Sequence, residues 1–367
     1  MKLVAHYFRD LFRGTVAGWN RFWFTPTDPA TLGIVRMLTG AMLFYTHLIW
    51  SFDLAGFFGR DGWITPEAMN KLPWHSPLEW SWFYWIDSPI LLWCVHIACL
   101  CVFALLTIGL FSRTMSVLAF IATVSYINRV SLAQFGLDDT NAMLALYLMV
   151  GPCGAAYSVD AWRKRRRLNG QLSGAVGEGS VANAARSAQR FIEPSIAANI
   201  AIRLLQFNLC VEYFFAGIGK AQGEQWWNGN AVLMAVGNLE YQSYDLTGLI
   251  HYRWLASLLA HGTIFLEMSY CVLVWPRLTR PLVIAGAVAM HLGIGAFLGM
   301  WTFGLAMIIA NVAFVSPWVV RRVLDRQPSR GGPNQGNVEQ QSGGKQSRGT
   351  VRSPNGAQPS SLTSARK

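Results

Sequence analysis

The sequence predicts an all-α integral membrane protein with about eight transmembrane helices and an N-terminal amphipathic helix at the membrane interface. Two observations lead to this fold class. Of the 367 residues, 53% are hydrophobic and only 13% are charged, whereas a soluble domain has about 25% charged residues. The hydrophobic residues also form eight long stretches, most of them close to the ~20 residues that a helix needs to cross a bilayer. A soluble enzyme, a coiled coil and a fully disordered protein are therefore excluded.

Residues 1–29 form the first predicted element, an amphipathic segment that lies on the membrane surface. Charged residues interrupt any continuous apolar run here, so no cleavable signal peptide is predicted. Large apolar side chains instead recur at helical spacing, which favours an interfacial helix that ends near Pro26 and Pro29. These side chains are Val4, Phe8, Leu11, Phe12, Val16, Trp19 and Trp23.

The eight apolar stretches make up a predicted transmembrane domain over residues 30–322. Basic residues concentrate in alternate gaps between the stretches, and the intervening gaps carry mostly acidic residues. Because Lys and Arg accumulate on the cytoplasmic side, this alternation predicts eight spans in the inner or plasma membrane, with both termini cytoplasmic. The stretches are residues 31–52, 89–111, 114–135, 140–157, 197–220, 254–275, 281–300 and 302–320.

The net charge of +11 lies in two places and does not indicate a nucleic-acid partner. The run 163–167 and the segment 326–367 account for all of it, whereas a folded nucleic-acid-binding domain presents its basic residues on one structured face. The run belongs to a predicted cytoplasmic loop, residues 161–195. Residues 323–367 are rich in Gly, Ser, Gln and Asn, so we expect a disordered, basic cytoplasmic tail that folding does not require.

Two long outer segments, residues 53–88 and 221–253, are rich in Trp and Tyr. Their composition fits two interpretations. The aromatic rings form a belt at the level of the lipid headgroups, or the two segments together form a lid over a cavity that opens to the outer face.

Ten ionisable side chains lie inside the predicted spans, where a charge costs roughly 2.5–3.5 kcal/mol even on the lenient insertion scale. Arg129, Glu212, Lys220 and His291 are candidates for one outward-facing polar pocket, although a structural ion-pair network fits the same positions. No histidine pair has the spacing of a metal site, so no metal is expected. The ten are Arg36, His47, His96, Arg129, Arg203, Glu212, Lys220, His261, Glu267 and His291.

One segment resembles the part of vitamin K-dependent γ-carboxylase that holds the catalytic lysine. It comprises Tyr213-Phe214-Phe215-Ala216-Gly217-Ile218-Gly219-Lys220, followed by Trp226-Trp227-Asn228-Gly229. These motifs are similar to those of the horizontally transferred transmembrane (HTTM) domain, which the carboxylases share with many bacterial proteins, and the resemblance covers about residues 30–320. Further motifs in the matching order are Leu32-Gly33-Ile34-Val35-Arg36, Phe58-Gly59-Arg60-Asp61-Gly62-Trp63, Asn128-Arg129, Asp138-Asp139 and Tyr157-Ser158-Val159-Asp160.

The resemblance implies a quinol-dependent carboxylase or an oxygenation-type enzyme. In the carboxylases a lysine amine deprotonates vitamin K hydroquinone. Oxygen then yields an epoxide and a strong base, which removes the γ-proton of a glutamate before CO2 adds. Lys220 matches that lysine, and His291 resembles a histidine that the carboxylases carry in a later helix. Arg129 and Glu212 complete the expected catalytic set.

The resemblance also implies a cofactor and partners. Gly217, Gly219, Trp226 and Trp227 are expected to bind a reduced quinone such as vitamin K or menaquinone. Membrane lipids, a quinol and an extracytoplasmic substrate are the expected partners.

Two departures from the carboxylases narrow this expectation. Arg129 stands where the carboxylases have a histidine after Asn128. No counterpart of their large lumenal domain is expected, so carboxylation of propeptide-tagged proteins is not predicted.

The alternative is a non-catalytic membrane protein of the same family that binds a lipid or a partner in the same cavity. A transporter is disfavoured because the sequence shows no inverted repeat.

Overall fold

The computed structural model describes residues 2–69, 71, 79–175 and 193–325. These residues are all-helical apart from their connections and contain no β-strand; two backbone hydrogen bonds between Thr27 and Ser195 form an isolated bridge. The all-α class is therefore confirmed. The predicted disordered tail lies outside the described residues from position 326 onward, and so do positions 176–192 of the predicted cytoplasmic loop.

Long helices form a bundle, and shorter helices connect their ends. The α-helices of the described residues are α1 (Lys2–Phe24), α2 (Ala30–Trp50), α3 (Leu54–Phe58), α4 (Pro66–Met69), α5 (Pro89–Ile108), α6 (Ser112–Arg129), α7 (Gly136–Val150), α8 (Val159–Ala175), α9 (Ile196–Ala221), α10 (Glu224–Trp227), α11 (Ala231–Val236), α12 (Arg253–Leu273), α13 (Arg280–Leu298), α14 (Trp301–Asn311) and α15 (Pro317–Leu324). Short 3-10 helices occupy Ser51–Asp53, Trp82–Trp85, Ser131–Ala133, Thr247–Tyr252 and Val312–Phe314.

Five helical segments of the described chain are long and apolar enough to cross a membrane, or six if α14 and α15 form one bent span. The chain is thus a polytopic membrane protein, while the count of eight spans stays a prediction. Even when the bent pair is counted as a sixth span, the predicted stretches 114–135 and 140–157 are not among the candidate spans. α7 has only 15 residues, and α6 carries Arg113 and Arg129 near its ends. The five segments are Ala30–Phe58, Pro89–Ile108, Ile196–Ala221, Thr247–Leu273 and Arg280–Leu298.

The last predicted stretch, residues 302–320, is not one continuous helix. α14 ends at Asn311, and α15 starts at Pro317 after a bend of 109°. Ser316 has an extended backbone, and its hydroxyl accepts a hydrogen bond from the Val319 amide at 3.4 Å. Because a proline disfavours helical geometry in the residue before it, the helix cannot run through Ser316.

Two apolar cores meet along α2. The first core joins α2 with α7, α9, α12, α13 and α14, and the second joins it mainly with α3, α5 and α6. The outer segment 53–88 packs on the second core through Phe58 and Phe83, which are both buried. The short helices α10 and α11 of the other outer segment, residues 221–253, both contact α12, which contributes to the first core.

Arg36 and Asp160 join helix ends on the side of the bundle where α8 begins. The Arg36 guanidinium donates to the Leu106 carbonyl at 2.5 Å, near the end of α5, and to the Tyr157 carbonyl at 2.6 Å. The Asp160 carboxylate accepts from the backbone amide of Ser112 at 2.7 Å, at the start of α6. Both residues belong to motifs that carry the family resemblance, so in this chain these motifs hold helix ends together.

The basic run 163–167 lies in helix α8, which occupies the first part of the predicted cytoplasmic loop 161–195. The segment has no apolar periodicity, which is why hydropathy does not reveal a helix. It consists largely of Arg, Lys, Ala, Leu and Gln, which are all good helix formers.

The N-terminal segment contains the helix α1, and its amphipathic, interfacial character stays a prediction. The side-chain amide of Asn199 donates to the carbonyls of Phe22 and Trp23, both at 2.8 Å, and so ties the end of α1 to α9. The apolar side chains Val4 and Phe8 are exposed. The placement of α1 at the membrane surface stays a prediction.

Candidate functional site

A cavity of about 1000 Å³ lies between α9, α12, α13 and α14. The short helices α10 and α11 contribute Trp226 and Val236 to its wall, so segment 221–253 covers it. No described residue of segment 53–88 lines it. Most of the lining is apolar. Its titratable and hydrogen-bonding side chains include Glu212, Tyr213, Lys220, Glu267 and His291.

One face of α9 supplies much of the polar wall. Glu212, Tyr213, Ala216 and Lys220 all line the cavity, and their spacing puts them on the same side of a helix with 3.6 residues per turn. The Ser195 side chain caps the first turn of α9, a position where a hydroxyl satisfies an otherwise unpaired backbone amide. The helix then runs without a break to Ala221.

Lys220 forms an ion pair with Glu267 of α12. The Lys220 Nζ lies 2.9 Å from Glu267 Oε2, and the two side chains are 28% and 6% exposed. The Trp226 ring also faces the ammonium group, with its centroid 5.5 Å from Nζ. Lys220 is therefore held at the cavity wall and does not extend as an isolated charge toward the headgroups. Removal of either partner would leave a buried charge without its counter-ion, which is costly.

Glu212 lies two turns before Lys220 and has a different partner. Its Oε1 accepts a hydrogen bond from Asn208 Nδ2 at 2.9 Å, and Asn208 Oδ1 accepts one from the Tyr147 hydroxyl at 3.2 Å. The carboxylate therefore connects the cavity to α7 through a polar chain. No ion pair involves Glu212 in the described part of the protein.

His291 of α13 takes part in a buried hydrogen-bond network. Its Nε2 lies 2.8 Å from the Tyr213 hydroxyl, which in turn lies 3.0 Å from Asn311 Nδ2. The Tyr270 hydroxyl donates to Asn311 Oδ1 at 2.7 Å. The rings of Tyr213 and Tyr270 stack with their centroids 4.0 Å apart. Four side chains from α9, α12, α13 and α14 are thus connected directly behind the cavity.

The four predicted cofactor-binding residues do not all lie at the cavity wall. Trp226 lines the cavity, whereas Gly217, Gly219 and Trp227 do not. A Cβ on Gly217 would lie 2.8 Å from Met268 Cγ and 3.0 Å from Met268 N, so this glycine permits close packing of α9 on α12. Gly219 faces open space.

Arg129 is also absent from the cavity wall. It is fully buried in the second core, where its guanidinium donates to the carbonyls of Ile64 at 2.9 Å and Gly59 at 2.7 Å. The structure therefore brings Glu212, Lys220 and His291 into one cavity and places Arg129 elsewhere. Arg129 connects the end of α6 to the first outer segment.

Sequence reasoning did not assign Glu267, Tyr213 and Asn311 to the site. Glu267 stood out as a charge inside a span, but its partner lies on another helix, and spacing along the chain cannot show that contact. Tyr213 opens the motif that ends at Lys220, and this was the signal that could have pointed to it, whereas Asn311 lies in an apolar stretch and carries no sequence signal of its own. Among the described residues, no group of three His, Cys, Asp or Glu side chains could hold a metal ion.

Comparison with known proteins identifies one domain. Residues 180–318 match the family model described as the HTTM domain. Glu212, Lys220, Glu267 and His291 all fall within this range, and Arg129 falls before it. No curated protein and no solved structure matches the chain.

Proposed function

We propose that this polytopic membrane protein, which carries an HTTM domain in residues 180–318, is a quinol-dependent enzyme of the carboxylase or oxygenation type with Lys220 as its base. One observation carries the proposal: a large apolar cavity has the Lys220–Glu267 ion pair in its wall. Sites for small molecules are mostly apolar and have a few placed polar groups. A reduced quinone fits this lining because its ring and tail are apolar and its oxygens are polar.

The ion pair can supply a base without an external proton acceptor. Transfer of one proton from Lys220 to Glu267 yields a neutral amine beside a neutral carboxylic acid. An apolar cavity disfavours charges more than neutral groups, so this form is accessible at the wall of the cavity. The amine can then accept a proton from a ligand hydroxyl. A quinol, when bound, would supply that hydroxyl and two reducing electrons, and molecular oxygen would be the acceptor of these electrons.

The proposal includes the finer topology of the chain. Eight spans with both termini cytoplasmic place the cavity near the extracytoplasmic surface, and α1 lies on the cytoplasmic surface. The alternation of basic and acidic gaps supports this orientation. A lipid-soluble quinol then enters from the bilayer, and an extracytoplasmic substrate enters from the aqueous side.

Substitution of Lys220 tests the proposal. The protein is purified into lipid nanodiscs, and the oxidation of reduced menaquinone is followed by absorbance. We expect Lys220→Met to abolish oxidation and to lower the thermal unfolding midpoint, because Glu267 loses its counter-ion; a cooperative thermal transition shows that the variant remains folded. Lys220→Arg should not restore activity, because a guanidinium stays protonated. Lys164→Met, on the exposed basic helix α8, is the matched control and should retain activity. Absence of Lys220-dependent quinol oxidation in the wild type contradicts the enzymatic proposal.

A second candidate is non-catalytic binding of a lipid or a partner. The favouring observation is that the Lys220 ammonium already has a counter-ion at 2.9 Å, as expected of a structural pair. In that case a lipid extracted from the purified wild type should also copurify with Lys220→Met, and neither protein should oxidise the quinol.

A further inference from the structure

Two arginines, Arg203 of α9 and Arg280 of α13, come together around Trp275, which follows α12. The Arg203 Cζ lies 5.9 Å from the centroid of the Trp275 ring, and Arg280 Nη2 donates to the Trp275 carbonyl at 2.6 Å. The Arg203 guanidinium also lies over the Phe22 ring of α1, with its Cζ 4.4 Å from the centroid. The rings of Phe22 and Trp275 are themselves 5.5 Å apart. The two guanidinium groups are therefore held at one place, toward the end of α9 opposite to Lys220.

This pair of positive charges has no carboxylate partner in the part of the chain that the structure describes. No ion pair between described residues involves Arg203 or Arg280, and the charge that acts on Arg203 is that of Arg280. By contrast, Arg321 pairs with Asp28, whose Oδ1 lies 2.8 Å from Arg321 Nη2. Because two like charges repel each other, a bound anion would stabilise the arrangement of Arg203 and Arg280.

Each of the two guanidinium groups has one terminal nitrogen available for such an anion. Arg203 Nη1 donates to Gln206 Oε1 at 2.9 Å, and Arg203 Nε is buried without a partner. Arg280 Nε and Nη2 donate to the carbonyls of Val274 and Trp275, at 2.9 and 2.6 Å. Arg203 Nη2 and Arg280 Nη1 make no hydrogen bond within the described chain and are not buried. A phosphate, which has several acceptor oxygens, suits two such donors.

The length of α9 places Arg203 at the level of the lipid headgroups. The helix has 26 residues and is about 39 Å long, whereas the hydrocarbon core of a bilayer is about 30 Å thick. Arg203 and Lys220 are separated by about 26 Å along the axis, so they lie near the two edges of that core. Phe207, one turn after Arg203, is 58% exposed and gives an acyl chain an apolar surface beside the arginine.

We propose that Arg203 and Arg280 bind the phosphate of an anionic phospholipid from the leaflet at this end of α9. A headgroup with a net negative charge, such as that of phosphatidylglycerol, compensates the two cations, whereas the ammonium of a zwitterionic headgroup adds a further positive charge. Basic pockets between transmembrane helices bind anionic headgroups in other membrane proteins. Neither arginine lines the cavity that contains Lys220, so the inference goes beyond the proposed function and does not depend on it.

The test measures binding of phosphatidylglycerol to the full-length protein in detergent. The lipid is titrated, and native mass spectrometry counts the bound molecules. We expect Arg203→Gln to weaken the tightest binding event about tenfold, as expected for the loss of one charge-assisted hydrogen bond. This variant leaves no described carboxylate without a counter-ion, so it should remain folded. Phosphatidylcholine should bind the wild type and Arg203→Gln equally.

Two controls separate this site from a general attraction between opposite charges. Arg166→Gln removes one positive charge from the exposed basic helix α8 and should leave the affinity for phosphatidylglycerol unchanged. Inorganic phosphate at millimolar concentration should not displace the lipid, because it has no acyl chains. An equal loss of affinity in Arg166→Gln, or displacement of the lipid by inorganic phosphate, contradicts a phospholipid site at Arg203 and Arg280.

Chemical modification of the wild type gives a measurement that does not depend on the folding of a variant. Phenylglyoxal reacts with accessible guanidinium groups, and mass spectrometry of peptides gives the extent of reaction at each arginine. We expect phosphatidylglycerol to protect Arg203 and Arg280 and to leave the reaction of Arg166 unchanged, whereas phosphatidylcholine protects none of the three. Equal protection of Arg166, or no protection of Arg203 and Arg280, overturns the proposal.

Discussion

Arg129 and Lys220 are both cations inside long helices, yet their surroundings differ. Arg129 donates to two backbone carbonyls, and Arg36 does the same at the other side of the bundle. Lys220 instead meets a carboxylate at the wall of a cavity. A guanidinium has five donors in a rigid plane and suits several carbonyls at once, whereas an ammonium is a compact charge that can give up its proton. The contacts of the two arginines are structural, and the contact of Lys220 with a carboxylate at the cavity wall is the one on which the proposed function depends.

Asp160 provides a prediction at the residue scale. Burial raises the pKa of this carboxyl, but hydrogen bonds from the Ser112 amide and hydroxyl and the Phe111 amide outweigh burial, and the net pKa is lowered. A lowered pKa means that the carboxylate stabilises the fold above its unfolded pKa of about 3.9, and that this contribution is lost as pH falls through the lower folded pKa.

We expect Asp160→Ala to lower the free energy of unfolding at pH 7 by about 1 kcal/mol, the usual contribution of a helix cap. The difference from the wild type should shrink below about pH 4. Thermal unfolding midpoints in detergent at pH 7 and pH 3 measure both effects. Asp160→Asn keeps an acceptor oxygen without the charge and should lose less at pH 7. An equal loss at both pH values contradicts the carboxylate cap.

At the scale of elements, the packing of α9 on α12 depends on one glycine. A Cβ on Gly217 would approach the Met268 backbone nitrogen to 3.0 Å, while a Cβ on Gly219 meets nothing within 4 Å. The two positions therefore form a matched pair on one helix. Alanine is a better helix former than glycine by about 0.5–1 kcal/mol, which helps only where the added methyl group fits.

We expect Gly219→Ala to raise the thermal unfolding midpoint slightly and Gly217→Ala to lower it, because overpacking costs about 1–3 kcal/mol. The same substitutions separate packing from ligand binding, since neither glycine lines the cavity. Binding of menaquinone-4 should be unchanged in Gly219→Ala. A lower midpoint for Gly219→Ala, or no change for Gly217→Ala, contradicts this packing.

Hydropathy predicted most of the long helices but not their interruptions. The first predicted stretch, 31–52, corresponds to α2 at Ala30–Trp50, and the stretch 197–220 corresponds to α9 at Ile196–Ala221. The predicted stretch 302–320 contains the break before Pro317, because apolar composition continues through the bend. Hydropathy did not reveal α8, because its sequence consists largely of good helix formers without an apolar stretch.

The site was predictable only where its residues share a helix. Glu212 and Lys220 lie on one face of α9, and the period of the helix is enough to place them together. Arg129 was grouped with them because it lies near the outer end of a span, but depth does not determine which side of the bundle a residue faces. The contacts of Lys220 with Glu267 and of Tyr213 with His291 depend on the packing of different helices, which no local pattern encodes.

At the scale of the whole molecule, the distribution of charge favours one orientation in the membrane. The basic run 163–167 and the ion pair between Arg321 and Asp28 lie at the ends of helices that the sequence assigns to the cytoplasmic side. Lys220 lies in the last turn of α9, next to segment 221–253, and pairs with Glu267 in the interior of α12. In this orientation the basic run 163–167 lies on the cytoplasmic side, away from the cavity.

The membrane topology can be tested directly, and the result depends mainly on whether α6 and α7 cross the membrane. Reporters fused after residues 70, 170, 240 and 330 should report outside, inside, outside and inside, because basic gaps stay cytoplasmic. A re-entrant α6–α7 hairpin would give the same pattern, since it returns to the side from which it enters.

Gln134, which is exposed between the two helices, distinguishes a re-entrant hairpin from two membrane-spanning helices. With the six native cysteines replaced, Gln134→Cys should react with a membrane-impermeant maleimide from outside, and Asn169→Cys only after the membrane is opened. Failure of Gln134→Cys to react from outside would reduce the number of spans to six and leave the hairpin within the membrane, while an outside report at 330 would reverse the orientation of the last spans and contradict the cytoplasmic C-terminus.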